Sequence, residues 1–221
     1  TNGTSTFAGN VTLNNSSTGT FTVGNTTNQS TIAAGGAILT SGFTAGTLNL
    51  RNILQNGSAP NGSFSPTNLN LQTADLGGDF TATAVNNVSI QNSTLRANNS
   101  FNAVRISQVS NSTFGTTSSN TTSITKTGGG DDAWTGGNTF NSVSSITNAG
   151  TAHLTISNTT GNNFSAAIAF NNTTTDRNFS AATNGTSTFA GNVTLNNSST
   201  GTFTVGNTTN QSTIAAGGAI L

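Results

Sequence analysis

Apolar and polar residues alternate along this chain in short bursts with one recurring form: apolar, any, apolar, any, Asn. It occurs as VTLNN ending at Asn15, FTVGN at Asn25, LNLRN at Asn52, VSIQN at Asn92, LTISN at Asn158, IAFNN at Asn172, VTLNN at Asn197 and FTVGN at Asn207. SSITN at Asn148, LNLQT at Thr73 and VRISQ at Gln108 are variants, which makes eleven copies, too many for chance in so short a motif. Alternation over five residues predicts a short strand with one buried face, because successive side chains point to opposite sides. No stretch carries the three-to-four spacing of an amphipathic helix, and Thr, Ser, Asn and Gly would weaken one. Polar stretches such as NNSSTG, NNTTTD and NQST separate the kernels and predict corners.

The kernels repeat with two nested periods. Phe140, Phe164 and Phe189 head the stretches TFNSVSSITN, NFSAAIAFNN and TFAGNVTLNN. Four and six residues after each lie Ser144 and Ile146, Ile168 and Phe170, Val193 and Leu195, and a second apolar pair follows as Leu154 and Ile156, Phe179 and Ala181, Phe203 and Val205. This predicts a coil of two principal strands with one tight and one longer corner. Phe43, Leu48 and Leu50 recur as Phe64, Leu69 and Leu71 after a shorter interval, and Val85 to Ser110 reads as further short strands. The outer period is longer: Thr183 to Leu221 repeats Thr1 to Leu39 residue for residue. Residues 1–182 therefore form one full tandem unit, and 183–221 the start of the next.

An isolated strand pair of this kind cannot bury its apolar edge, whereas coils stacked on one another bury it continuously. The expected fold is all-β: a parallel β-helix, or β-solenoid, right-handed by the rule for parallel crossovers, with irregular coils of about 18–25 residues. Like residues then lie over like at about 4.8 Å. The kernel Asn lies two residues past the last apolar position and so faces inward. There its amide would cost about 1–3 kcal/mol unpaired, and a ladder of amides along the stack satisfies it. Asn is also a good turn former in the left-handed region, and both roles are open. The two ends of a stack expose unpaired backbone groups, and a tandem continuation covers them.

Composition removes several functions. Of 221 residues only 5% are charged, with Lys+Arg 5 and Asp+Glu 5, so there is no basic stripe for nucleic acid and no polybasic segment for a membrane surface. Zero net charge, 2 Pro and 13 Phe are unlike a disordered chain. Cys is absent, which excludes disulfides and thiolate metal sites. No run approaches the length of a membrane span, and no basic-then-apolar leader or Met is present, so the chain reads as a segment of a longer protein.

SITKTGGGDDAWTGGNTFNSVSSITNAGTAHLTISN, Ser123 to Asn158, and FTAGTLNLRN, Phe43 to Asn52, resemble the giant bacterial surface proteins of the β-strand-repeat type found in Bacteroidetes. Filamentous-haemagglutinin-like adhesins are similar at the level of fold. The resemblance implies secretion, a bacterial cell-surface or extracellular location, and a role in adhesion or an extracellular fibre or matrix. It brings no enzymatic residues.

Candidate sites are few. GGGDD, Gly128 to Asp132, has two adjacent carboxylates, but Ca²⁺ wants six to eight oxygens, and a solvated Gly-rich loop is the expected state. His153, the only His, is expected outward or at a corner. Lys126, the only Lys, is expected exposed, with a side-chain cross-link to Asn or Asp as the alternative. Asn2, Asn10, Asn25 and Asn92 fit the N-glycosylation pattern, which this composition produces by chance. Asp75 and Asp79 flank a GG turn, and with Asp131, Asp132 and Asp176 they are scattered along the expected rod, unlike the paired acids of polysaccharide-cleaving enzymes. No catalytic, cofactor or metal residue is assigned, and the chain is not read as an enzyme. The expected function is a structural or adhesive extracellular filament of tandem units, its partners being identical units end to end, lateral filament contacts or surface polysaccharide. Carbohydrate or ice binding is the alternative, and the unequal steps between kernels argue against the regular Thr array that ice requires.

Overall fold

The computed structural model describes residues 3–173 and 175–221. Among them there is no helix, and every strand pairing is parallel. The chain winds as a β-solenoid in which each turn carries up to three strands, one per face. Ten strands of the first face stack in sequence order from Thr6–Phe7 to Thr213–Ile214, which makes nine turns.

The two expected strands are the second and third faces. The second begins with Val11–Asn15 and runs through Thr121–Lys126, Val143–Asn148 and Ile168–Asn172 to Val193–Asn197. The third runs from Thr20–Gly24, Thr47–Arg51 and Asn68–Gln72 to Leu154–Thr155, Phe179–Ala181 and Phe203–Val205. The Phe that heads each unit is itself a strand: in Thr139–Phe140, Asn163–Phe164 and Thr188–Phe189 one residue faces out and Phe faces in. Two residues are too few to show alternation, so the recurrence of Phe marked this face without marking it as a strand.

Register sets the turn length. Down the outward column of the first face the partners are Thr6, Thr31, Leu54, Asp75, Thr94, Thr113, Thr139, Asn163, Thr188 and Thr213. Successive differences are 25, 23, 21, 19, 19, 26, 24, 25 and 25 residues. The shortest turns lack a corner. Val85 to Ser110 holds parts of two 12-residue strands, Phe80–Gln91 and Asn99–Ser110, rather than several short ones. In them the second face runs directly into the third, through irregularities after Thr83 and Val88. The VRISQ copy is displaced: Val104, ahead of the second irregularity, is 40% exposed between inward Ala103 and Ile106, and the irregularity makes Val109 rather than Gln108 the next inward residue.

Like lies over like in the core. Phe114, Phe140, Phe164 and Phe189 stack with ring centroids 4.8, 4.9 and 5.0 Å apart and planes within 10°. On the third face Phe179 and Phe203 stack at 4.9 Å. Leu48 and Leu50 pair with Leu69 and Leu71, as the shorter interval required. Each ring is buried on folding, which favours order by roughly 1.5–3 kcal/mol per side chain and offsets the entropy of ordering such short strands. One member breaks the pattern. Gln55, fully buried in the first-face column, donates to the carbonyls of Gly36 (3.0 Å) and Ala59 (2.8 Å). Its Oε1 accepts from Asn61 and from the Gly77 and Gly78 N–H groups (3.0, 3.2 and 3.1 Å). The Asp75–Asp79 segment is thus the expected tight corner, so close to the coil below that a Cβ on Gly77 would lie 1.9 Å from the Gly57 carbonyl oxygen.

Candidate functional site

Polar side chains run along the stack in columns, and each column performs the task its corner sets. Where the second face ends, the kernel Asn points inward. Asn148 Nδ2 donates to Asn172 Oδ1 (3.5 Å), and Asn172 Nδ2 to Asn197 Oδ1 (3.1 Å). Each amide also holds the following corner, through the carbonyls of Ala152, Arg177 and Gly201 at 3.1, 3.0 and 3.4 Å. Where the third face ends, the kernel residue turns the chain instead. Asn52, Thr73 and Asn92 have φ of 51°, 55° and 49°, the left-handed region that Asn tolerates. Asn25 and Asn207 cap turns by accepting from backbone N–H groups two and three residues on. Both roles read from sequence are present, each at its own corner.

A third column was not anticipated. The inward residue before each first-face strand is usually Ser or Asn, and its side-chain oxygen accepts the backbone N–H of its counterpart one turn below. The chain runs Ala74 to Ser93 (3.1 Å), Ser93 to Ser112 (3.2 Å), Ser112 to Asn138 (3.1 Å), Asn138 to Asn162 (2.9 Å), Asn162 to Ser187 (3.0 Å) and Ser187 to Ser212 (3.4 Å). Its signal was a recurrent Ser or Asn, then Thr or Asn, then an apolar residue, as in STF, STI, STL and NTF.

Lys126 departs from expectation. It is fully buried rather than exposed, because it occupies the inward column directly beneath Asn148. Its Nζ donates to the Gly128 carbonyl, as the amides above it hold their own corners. Burial holds its pKa below the ordinary lysine value; Asp132 opposes that shift, Arg105 adds to it and Asp131 opposes it. Above this lysine, Asn148 Oδ1 is buried with no hydrogen-bond partner.

The GGGDD loop is exposed at Gly129, Gly130 and Asp131, as expected, but not at its last residue. Asp132 is 2% exposed and receives Arg105 at 3.0 and 2.7 Å through Oδ1 and the Ile106 N–H at 3.2 Å through Oδ2. Here the turn lengthens from 19 to 26 residues and a corner opens over the long strand below. Asp132 and Trp134, whose Nε1 donates to the Ile106 carbonyl (2.6 Å), fill the step. Asp131 accepts the His153 N–H (2.9 Å), and His153, half-buried at a corner, accepts the Asn178 N–H at Nδ1 (2.9 Å). Asp75 pairs with Arg96 at 2.6 Å, and Asp79 accepts from Asn98. Each of these acids is tied to a neighbouring turn, and among the described residues no three metal-binding side chains gather. Of the sequon residues, Asn10 Oδ1 accepts the Ala37 N–H, Asn92 receives Asn111, and Asn2 lies outside the described residues.

No protein-family model matches the chain, and comparison with curated proteins and with solved structures gives no match.

The outer surface is neutral and hydroxyl- or amide-rich. Side chains bridge turns there too: Asn70 donates to Asn49 (2.8 Å), Asn49 to Thr22 (3.1 Å), Asn171 to Ser145 (2.9 Å) and Asn196 to Asn171 (2.8 Å). The outward first-face column, largely Thr, is evenly stepped although turn lengths differ, because corners absorb the difference. Unequal kernel spacing is therefore no argument against a regular Thr array. Large exposed apolar side chains concentrate at the ends: of seven, Phe21 lies in the first turn, and Val205, Ile214, Ile220 and Leu221 in the last.

Proposed function

We propose that the chain is a segment of a structural or adhesive extracellular filament in which tandem solenoid units continue end to end. The observation that carries this reading is a coincidence of periods. The sequence repeats after 182 residues, and Thr188 stands in the column of Thr6 eight turns later. Because the repeat is a whole number of turns, a following unit seats every side chain in the column of its counterpart. A repeat ending mid-turn would put apolar columns over polar ones. A neutral, amide-covered rod with few charges suits lateral packing or contact with polysaccharide, and the likeness of Ser123 to Asn158 to bacterial surface repeats favours a cell-surface location.

The test is a length measurement. Chains extended by one and by two further 182-residue units are compared by small-angle scattering and electron microscopy. Each unit adds about 38 Å, eight turns at about 4.8 Å, with an unchanged cross-section. Beads on a string, or a widening particle, would refute the filament. Ice or carbohydrate binding is a second reading, favoured by the Thr column of the first face. Its width of one rank weighs against ice, and thermal hysteresis at millimolar protein decides that case.

A further inference from the structure

On the second face, near the middle of the rod, two outward columns run side by side along the axis. Asp79, Asn98 and Thr121 form one, and Thr81, Ser100 and Ser123, two residues further along each strand, form the other. The residues between them, Phe80, Asn99 and Thr122, point inward and are buried. The columns thus wall a trough of about 300 Å³ that is floored by backbone. The first wall is bonded to itself. Asn98 donates from its backbone N–H and Nδ2 to Asp79 Oδ1 (3.1 and 3.0 Å), and Thr121 donates from its N–H and Oγ1 to Asn98 Oδ1 (2.9 and 3.2 Å). Those bonds leave Asp79 Oδ2 open, and among the described residues the hydroxyls of Thr81, Ser100 and Ser123 have no protein partner. Adjoining outward residues are bonded instead: Thr83 meets Ser63 (3.5 Å), and Ser145, directly above Ser123, accepts from Asn171 (2.9 Å). Above Thr121 stands Val143, 44% exposed, which closes the first wall with an apolar step.

We propose that this trough binds a neutral polysaccharide, a short stretch of which lies along the rod axis between the two columns. Hydroxyls repeating at about 4.8 Å, each able to donate and to accept, suit a ligand that is itself a row of hydroxyls. The open oxygen of Asp79 accepts from ring hydroxyls in charge-assisted bonds, and Val143 offers its isopropyl group to the C–H side of a ring. Asp79 is the only charged residue of the lining, so it disfavours uronic-acid and sulfated chains as it does nucleic acid. An added peptide strand has nothing to pair with, because the strands here are paired on both sides. One shallow trough holds its ligand weakly. Recurrence of the trough once per 182-residue unit, on the same face of a tandem chain, converts weak sites into avidity. The inference rests on the reading of the chain as a rod that meets polysaccharide, and adds the place of contact and the charge class of the ligand.

Amide NMR of the whole nitrogen-labelled chain tests it, with oligosaccharides of cellulose, mannan and laminarin as neutral probes and oligogalacturonate as the anionic one. The expected result is a saturable shift with at least one neutral probe, confined to amides of 79–81, 98–100, 121–123 and 143, and none with oligogalacturonate. Ser100→Trp places a large outward side chain in the trough and is expected to abolish the shifts with melting unchanged. Asp79→Asn keeps the Oδ1 acceptor for Asn98 but removes the charge, and is expected to weaken binding roughly tenfold. No saturable shift with any neutral probe overturns the proposal, as does binding undiminished in either variant. Shifts centred on Thr94, Thr113 and Thr139 would put the ligand on the first-face column and overturn this site. A rod that lengthens by a constant step per unit yet binds none of the probes refutes the trough and leaves the filament standing.

Discussion

Lys126 stands where the Asn column would otherwise carry an amide, and two costs meet there. A cation is held out of water with one carbonyl for partner, and the acceptor above it, Asn148 Oδ1, is left bare. In the turns above, the equivalent oxygens of Asn172 and Asn197 each receive the Nδ2 of the amide beneath. Lys126→Asn supplies that donor and removes the buried charge, so it is expected to stabilise the fold by about 1–3 kcal/mol at neutral pH. The pH dependence has a definite sign. Burial lowers the folded-state pKa of this lysine, so over the interval from that lowered value up to the ordinary 10.5 the unfolded chain holds more protons than the folded one. Stability of the unaltered protein therefore rises with pH across that alkaline interval, while the Asn variant lacks this term and its advantage narrows. Urea titrations of both proteins from neutral to alkaline pH check this, and a Lys126→Asn variant less stable than its parent would show that the lysine is better satisfied than its contacts indicate.

Strands here are short, and corners set the length of a turn, so the turn is the unit that can be added or removed. Deleting Phe164 to Thr188 takes out one 25-residue turn and joins Asn163 to Phe189 in register. Ile146 then meets Leu195, apolar on apolar, while Asn148 meets Asn197 and Phe140 meets Phe189, like pairs of the kind the structure already makes one turn away. The variant is expected to remain folded, with parallel-sheet circular dichroism per residue unchanged and melting shifted by a few degrees. Deleting only Phe164 to Asp176 carries the following segment half a turn out of phase and is expected to abolish cooperative melting; equal tolerance of both deletions would contradict stacking by register. This element scale is also where the sequence was most legible. Five-residue alternation located the second and third faces, and the interval from Leu48 and Leu50 to Leu69 and Leu71 fixed a register. The first face escaped because its strands are mostly two residues long, and the fused strands Phe80–Gln91 and Asn99–Ser110 escaped because a bulge shifts the alternation within each. The burial of Lys126 and Asp132 depends on what the adjoining turn presents, which no window along the chain contains.

Across the whole molecule each turn touches only its neighbours, so stability is a property of position along the axis. In a polypeptide of these 221 residues alone, interior turns are covered above and below, whereas the first and last are covered once. The two fused strands lie near the middle, pair with each other along almost their entire length, and bury Phe80, Ala82, Val85, Val88, Ile90 and Ile106 completely. The corner residues just after them, Ser93 and Ser112, are bonded across the stack, and Trp134 and Asp132 from the turn above bond to the Ile106 backbone. Opening there requires breaking both interfaces of a turn at once, while opening at Thr20–Gly24 breaks only one and exposes side chains already half in water. Hydrogen exchange should therefore be graded: slowest for amides of 80–91 and 99–110, faster toward 193–205, and fastest within 3–29, with the ends opening far below the free energy of the centre. Chemical unfolding should follow in steps from the ends, so a probe at Trp134 reports a later transition than circular dichroism of the whole chain. Uniform protection across the nine turns, or coincidence of the two transitions, would mean that coupling between turns outweighs the loss of a neighbour at each end.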